Sequence, residues 1–556
     1  MKKYMFFALM TAIILSACSS DDIFSDKENQ DVTPEIATVP LNVTAISGDN
    51  SELAAKANVS SKHRVIGTST SSGVSLEWET TDAITVLCGE DLAKTDLPLT
   101  TKESTTRAFF SGDIATGGQT VVETTPLYSY IASSDITFNS ETKNVTIDLT
   151  DQDGSLNDAI KHSLLLGQTT YGNGNATFNY SNQLAIMELK FRGIGTNESG
   201  VASVEFYAEQ GIPSSVTCNL TTGAITSTDG NSAKATNVTV LNGEATCYLA
   251  IAPNTNQTIN NTVVKINING HYYAHTMSVT EIPVGSIEAN NIYEQRIKNP
   301  KVPVGSWLFS DGTWGEKNVA QPTKTIVGII YSNEPDAADA ALGYTHGYAI
   351  ALEDLPEPRW WSGYLLQHGY DYLGVKRNAT QEAALEALLG EPSGIGYTQI
   401  LVTNTGYTAR AAEQAHLYAG NHSYSNSITS FLPTAGHMLR MLFNLGGLPF
   451  TAPNEVNGQG LSSEAEEFKW TGTDVASNVY TNLAASGVLN IDQGMTANTA
   501  GGQLNGNILA DRQYWTSTQC DGNESYCFIL SIVNKWLFFD AEVVDNLKYI
   551  RPFLAF

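Results

Sequence analysis

The residue types that most often carry out catalysis are present, but not at the spacings that catalysis uses. Nine histidines are scattered along 556 residues, and none forms a His-Glu-x-x-His pair. A Gly-x-Ser-x-Gly nucleophile elbow and a phosphate-binding glycine loop are also missing from the sequence. Only a pair of carboxylates facing each other across a groove, as in a glycosidase, would leave no sequence signature. The sequence therefore predicts a protein that is not an enzyme, and it implies no cofactor.

Two acidic turns could supply oxygen ligands for calcium, a hard cation that needs several converging oxygens. Glu334-Pro335-Asp336 and Glu391-Pro392-Ser393 are similar to the Glu-Pro-Asn triplet of calcium-dependent lectins. The Trp-Asn-Asp triplet that accompanies it in those lectins is missing. Because a proline-containing acidic segment is in most cases only a turn, we predict no metal site.

Aromatic and polar clusters are the remaining candidates for binding. Trp360 and Trp361 follow Arg359 and precede Tyr364, and exposed rings of this kind stack on sugars or on arginine. If these rings are buried, they are instead part of the hydrophobic core. A polar segment between two close cysteines either borders a binding face or is merely solvated. The candidate ligand-binding residues are Trp360, Trp361, Tyr364, Asp521, Asn523 and Glu524.

The chain has six cysteines. Cys520 and Cys527 are close enough in sequence to bridge a hairpin or a loop, and Cys218 could meet Cys247 across neighbouring strands. Buried free thiols, which pack as small apolar groups, are an equally good interpretation of all four.

The N-terminus predicts a membrane anchor. Residues 1–18 join a basic start to an apolar run that is too short to span a bilayer, so they form a signal peptide. Leu15-Ser16-Ala17-Cys18 resembles the lipobox of bacterial lipoproteins, which implies cleavage before Cys18 and attachment of lipid, palmitate included, to that residue. Two acyl chains hold a protein stably on a membrane. The acidic residues that follow resemble the surface-export tag of some Gram-negative anaerobes, so we expect an outer-membrane lipoprotein on the cell surface.

Charge and composition limit the partners. A formal net charge of −27 excludes a nucleic-acid-binding surface, which needs clustered lysine and arginine. Only 16% of the residues are charged, and the abundance of Thr, Ser, Asn and Gly is typical of secreted all-β proteins. The length allows two to four domains.

Hydrophobic periodicity divides the chain. Residues 19–35 are polar and acidic and predict a flexible tether. Alternating segments such as 39–46, 83–87, 144–149 and 263–268 recur up to about residue 298 and predict β-sandwiches at 36–170 and 171–298. After the proline-containing junction at 298–303, helical patterns appear at 379–389, 408–419 and 435–444, the last with Thr434 as its N-cap. We therefore expect a separate domain at 300–556 that unfolds cooperatively on its own.

The first two predicted domains resemble the fimbrillin family, the type V pilins. This resemblance covers residues 36–298 and implies two transthyretin-like β-sandwiches in a surface lipoprotein. The matching segments are 76–86, 126–130, 178–189 and 247–253.

The third predicted domain resembles the C-type-lectin-like domain of bacterial adhesins, the Lcl C-terminal type. This resemblance implies an α+β lectin-like adhesion domain whose ligand is a glycan or a protein on a host or bacterial surface. One departure is Phe431, where Trp or Tyr is common. The matching segments are 308–314, 325–331, 346–352, 431–436, 514–518 and 550–556.

The pilin resemblance also implies a route of assembly. In that family a trypsin-like protease removes the first strand, and a neighbouring pilin subunit fills the groove by strand addition. Here the excised strand would be 36–47, the cleavable linker 51–61, and the cleaved residue Arg64, with Lys62 and Lys56 as competing sites. Residues 549–556 resemble the closing strand of the lectin-like domain and leave no tail to donate, which implies an adhesin at the pilus tip. The alternative is an outer-membrane glycan-binding lipoprotein that does not polymerise.

Overall fold

A computed structural model gives the conformation of most of the chain. The residues it describes are 37–47, 65–70, 73–78, 82–104, 107–131, 136–195, 197–209, 211–227, 230–253, 262–277, 287, 289, 291–355, 359–360, 379–390, 393–403, 409–457, 467–471, 475–486, 513–519, 526–533, 536–543 and 547–556.

The first region is built from strands whose apolar side chains pack into two cores. Seven of them close into a barrel in the order β1-β11-β10-β7-β4-β5-β6. Trp78 is fully buried inside it, with its ring edge-on to Phe110 at 5.3 Å and to Tyr180 at 5.9 Å. The elements are β1 (Thr38–Ser47), β2 (Val65–Thr70), β3 (Gly73–Trp78), β4 (Ala83–Cys88), β5 (Ala93–Lys102), β6 (Arg107–Ala115), β7 (Pro126–Ile131), β8 (Ile136–Asn139), β9 (Asn144–Asp148), α1 (Leu156–Lys161), β10 (Leu165–Thr170) and β11 (Asn175–Asn182).

The next strands form two smaller sheets and begin a large one. The small sheets have the orders β15-β14-β9-β8 and β17-β12-β20, with β12 parallel to β20. The elements are β12 (Ala185–Arg192), β13 (Gly200–Tyr207), β14 (Ser215–Asn219), β15 (Ile225–Ser227), β16 (Ser232–Val240), β17 (Ala245–Ile251), β18 (Val263–Ile268), β19 (His271–Thr276) and β20 (Ile292–Lys298).

The last region mixes helices with strands. Its described helices pack on a ten-stranded sheet and on a five-stranded sheet of order β27-β28-β31-β30-β29. The elements are β21 (Trp307–Phe309), β22 (Trp314–Gly315), β23 (Ile326–Ser332), α2 (Ala337–Ala341), β24 (Tyr348–Ala351), β25 (Arg359–Trp360), α3 (Gln381–Leu389), α4 (Gly394–Thr403), α5 (Arg410–Asn421), β26 (Thr429–Phe431), α6 (Ala435–Asn444), β27 (Glu455–Asn457), β28 (Glu467–Thr471), α7 (Val475–Ser486), β29 (Gln513–Gln519), β30 (Tyr526–Val533), β31 (Trp536–Val543), β32 (Leu547–Lys548) and β33 (Phe553–Ala555).

The ten-stranded sheet passes through the predicted junction near residue 300. Its order is β16-β13-β18-β19-β22-β21-β23-β24-β33-β26, so strands on both sides of the junction share one sheet. They also share one core, in which Tyr273 and Ile266 are grouped with Leu308, Trp314 and Phe556. Strand pairing crosses the predicted boundary at residue 170 as well, because β11 completes the first barrel and β9 pairs with β14.

The mainly β architecture and the change to mixed α and β after residue 300 are confirmed. The first strands, however, close into a barrel rather than two stacked sheets, because β1 and β10 both pair with β11. The transthyretin-like and lectin-like assignments stay predictions. Among the described residues, no helix combines the length and the apolar character that crossing a bilayer requires.

The three predicted helices are present as α3, α5 and α6. Thr434 caps α6 as predicted, since its hydroxyl oxygen accepts a hydrogen bond from the His437 backbone N–H at 3.1 Å. Helices α1, α2, α4 and α7 were not predicted. Helix α1 has only six residues, and Ser155 caps it by accepting from the Asp158 backbone N–H at 3.1 Å.

Candidate functional site

Strand β1 is held on both of its edges. It runs antiparallel to β6 along almost its whole length and parallel to β11 along its second half. At its start, the carbonyl oxygen of Ala37 accepts a hydrogen bond from the Thr116 backbone N–H at 2.9 Å. Because backbone groups on both edges are paired, removing β1 would open the barrel and leave two unpaired strand edges.

The side chains of β1 alternate between core and surface. Leu41, Val43 and Ala45 are at most 1% exposed, whereas Asn42 between them is exposed. Burying a leucine or valine side chain contributes about 1.5–3 kcal/mol. The strand is therefore bound by backbone pairing and by a short row of apolar side chains, the combination used in strand addition.

A groove lined by apolar side chains of β6 and β11 receives this row. We call it the β1 groove. Its Tyr180 hydroxyl lies 2.6 Å from the Ser129 hydroxyl, and burial raises the pKa of Tyr180, so the phenol stays neutral. The lining residues are Ala108, Phe110, Ile114, Ala176, Phe178 and Tyr180, all buried and none ionised at neutral pH. An apolar strand fits this groove better than a charged ligand does.

The partners of β1 are distant in sequence. Strand β2, the next described element, pairs only with β3 among the described strands. Between β1 and β2 lie residues 48–64, which are outside the described residues and include the predicted linker 51–61 and Arg64. If the chain is cut there, β1 keeps only noncovalent contacts with the rest of the molecule.

Most of the predicted site residues also lie outside the described part of the chain. These are Cys18, Arg64, Trp361, Tyr364, Cys520, Asp521, Asn523 and Glu524. Trp360 lies in β25, whose partner is β32, and Cys527 lies in β30. The two ligand-binding clusters and the Cys520–Cys527 pairing remain predictions.

The pairing of Cys218 with Cys247 is wrong in this structure. Both are free thiols, and they lie in different cores, Cys218 with Val145 and Cys247 with Val204. Burial raises the pKa of both thiols, so they remain protonated and unreactive. They are core residues, as the other interpretation of the sequence predicted.

The strand-binding residues on β6 were not singled out from the sequence, although Phe178 and Tyr180 lie in a segment that resembles the fimbrillins. A partial signal was available, because Phe110, Gly112 and Ile114 alternate with the polar residues Ser111 and Asp113. The alternation does not show which strand pairs with β6, because its partner β1 is about 70 residues earlier in the chain.

One group of side chains that could hold a metal ion lies among the described residues. Asp336, Asp339 and His437 bring their ligand atoms within 4.8 Å of one another. Asp336 belongs to one of the acidic turns noted in the sequence, but the other two residues were not predicted.

Comparison with known proteins gives only remote similarities. No family model matches the chain, and no curated protein matches it. A fimbrial protein from Bacteroides ovatus aligns over 93% of this chain and 99% of its own, with 13% identity and a TM-score of 0.29. A candidate cell adhesion protein from the same species aligns over 47% and 92%, with 14% identity and a TM-score of 0.32.

The fimbrial anchor protein Mfa2 from Porphyromonas gingivalis aligns over 53% of this chain and 96% of its own, with 8% identity and a TM-score of 0.27. These structures are of the adhesive and fimbrial kind that the sequence resembles. Their TM-scores are too low to establish a common fold, so the function has to be argued from the molecule itself.

Proposed function

We propose that the chain is a fimbrial adhesin that is anchored in the outer membrane before maturation and then assembled by strand exchange at the β1 groove. The observation that carries this proposal is the environment of β1. The strand fills an apolar groove between β6 and β11, and its covalent link to β2 runs through 48–64, where the sequence places a small, polar and cleavable segment. A cut at Arg64 would let a strand of a neighbouring subunit replace β1.

The tip position is supported by the pairing of β33. This strand lies between β24 and β26, and residues 551–556 are buried. A strand that is hydrogen-bonded on both sides within its own sheet is not available to a neighbour. The subunit would therefore accept a strand through the β1 groove and present residues 300–556, with the Trp360 and Asp521 clusters, to a glycan or protein on another surface.

Replacement of Cys18 by alanine is expected to abolish lipidation, because the acyl chains are attached to this residue. Metabolic labelling with a palmitate analogue, followed by immunoprecipitation, measures it. Cys88→Ala is the matched control, since Cys88 is a buried free thiol in β4 and its loss should leave labelling unchanged. Labelling that persists in Cys18→Ala would rule out the anchor.

Immunogold microscopy of cells that produce an epitope-tagged chain tests the proposed function directly. We expect label at pilus ends, and we expect the pilus-associated chain to begin just after Arg64 by N-terminal sequencing. Label confined to the outer membrane, on chains that keep β1, would instead favour the non-polymerising glycan-binding lipoprotein. Turnover of glycans by the purified chain would favour an enzyme on a fimbrillin-like carrier.

A further inference from the structure

We propose that Asp336, Asp339 and His437 form a binding site for one zinc ion. Asp336 and Asp339 are three residues apart at the start of α2, and His437 is on α6. The site would join these two helices beside β24, which contributes Tyr348. This site is separate from the β1 groove and does not depend on the proposed function.

The distance between two of the ligand atoms suits zinc. His437 Nε2 lies 3.4 Å from Asp336 Oδ2. Two ligands about 2.1 Å from one ion at a tetrahedral angle are about 3.4 Å apart. The third ligand atom, a carboxylate oxygen of Asp339, lies within 4.8 Å of the other two.

The His437 ring supplies an independent indication of a ligand. The residue is 1% exposed, and its Nε2 atom has no hydrogen-bond partner. A buried polar atom without a partner costs about 1–3 kcal/mol, and this one faces a carboxylate at a distance too long for a good hydrogen bond. Burial lowers the pKa of His437 to about 3, so the ring is neutral and its nitrogen lone pair can bind a metal.

Hydrogen bonds from surrounding residues orient the three ligands. His437 Nδ1 is 2.8 Å from the Thr434 hydroxyl oxygen, which can accept the Nδ1 proton and so leave Nε2 free of one. Arg440 donates to Asp336 Oδ1 at 3.0 Å, and Asp336 Oδ2 lies 3.1 Å from the Tyr348 hydroxyl and 3.4 Å from His437 Nε2. The Tyr348 hydroxyl donates to Asp339 Oδ2 at 2.7 Å, and Ser393 donates to the other oxygen of Asp339.

The donor set selects the kind of cation. One imidazole nitrogen with two carboxylates suits zinc, whereas calcium and magnesium prefer oxygen ligands alone. With both carboxylates ionised and Arg440 positive, the cluster carries one net negative charge, which favours a cation. Burial raises the pKa of Asp339, and a bound cation would favour the ionised form of this carboxyl group.

The test is zinc titration of the full chain after removal of metal with EDTA. Isothermal titration calorimetry with zinc chloride is expected to give one site per chain, and zinc should raise the thermal unfolding temperature. His437→Phe keeps a ring against Phe431 and Tyr348 but has no nitrogen to bind the ion. We expect it to weaken zinc binding by about tenfold or more. His422→Phe is the matched control, since His422 also faces a carboxylate, Glu353, at 3.1 Å but is partly exposed.

Asp336→Asn is the second variant, because the Asp336 side chain is 17% exposed, against 1% for His437, and asparagine keeps its shape while removing the charge. Circular dichroism checks that each variant is folded. The proposal is overturned if the wild-type chain binds no zinc, or if His437→Phe and Asp336→Asn bind it as tightly as the wild type. It is also overturned if His422→Phe alone removes the binding, because the ion would then be at the surface.

Discussion

Trypsin cleavage between β1 and β2 is expected to turn β1 into a replaceable strand. In the intact chain, the connecting residues keep β1 at a high effective concentration beside its groove, so an added strand cannot compete. After the cut, that advantage is lost once β1 dissociates. We expect a labelled peptide of residues 36–47 to bind the cut protein about 100-fold or more tightly than the intact protein, measured by fluorescence anisotropy.

Two peptide variants test whether binding uses the β1 groove. Val43→Asp places a charge in the buried row and is expected to abolish capture, because an unpaired charge is costly in an apolar core. Asn42→Asp, one residue away on the exposed face, is the matched control and should bind nearly as well as the unchanged peptide.

The protein variant in which Arg64, Lys62 and Lys56 are all replaced by alanine is expected to prevent the cut and the capture together. A stalk subunit's C-terminal strand peptide should bind wherever the 36–47 peptide does. If only the 36–47 peptide is captured, the groove exchanges strands but the proposed assembly is wrong. If neither peptide binds the cut protein, β1 is a permanent part of the barrel, and the non-polymerising lipoprotein becomes the better account.

Local patterns predicted individual elements well. The alternation at 39–46 and 263–268 gave β1 and β18, because side chains of a strand point to opposite faces in turn. Thr434 correctly predicted where α6 begins, because an N-cap interaction involves only residues within one helical turn. Such features depend only on neighbours in sequence.

Pairing between distant segments could not be predicted in the same way. Nothing in β1 indicates that it lies between β6 and β11, so the barrel and its groove were not expected. The proposed zinc site is a similar case. Asp336 and Asp339 are only three residues apart, but His437 is about 100 residues later in the chain, so the sequence does not show that the three side chains meet.

The region around Trp314 shows why the predicted junction near residue 300 does not separate the fold. Trp314 is 1% exposed, and its indole N–H donates to the Tyr272 carbonyl oxygen at 2.6 Å. Its ring is stacked on His271 at 4.1 Å and is edge-on to Tyr273 at 5.5 Å. All three partners precede the junction, so expression of residues 300–556 alone is expected to give a less stable product than the sequence alone predicted.

Trp314→Ala in the full chain is expected to destabilise the sheet on both sides of the junction, by about 3–5 kcal/mol, the usual cost of removing a buried tryptophan. Chemical denaturation measures the loss of free energy of unfolding. Hydrogen exchange of the folded protein should be faster in β18 and β19 as well as in β21 and β23. Trp470→Ala is the matched control. Trp470 is equally buried but packs with Phe539 in the core of the third region, so its loss should leave exchange in β18 and β19 unchanged.

The same substitution in a fragment of residues 300–556 should cost less, because the fragment keeps the His346 and Phe556 rings that Trp314 contacts but lacks the Tyr272 carbonyl and the rings of His271 and Tyr273. The difference between the two costs measures the coupling across the junction. An equal cost in both proteins, together with a fragment as stable as the corresponding part of the full chain, would show that residues 300–556 fold as an independent domain. A smaller cost in the fragment would mean that force applied to residues 300–556 is carried into β19 through a shared sheet and core rather than through a flexible linker.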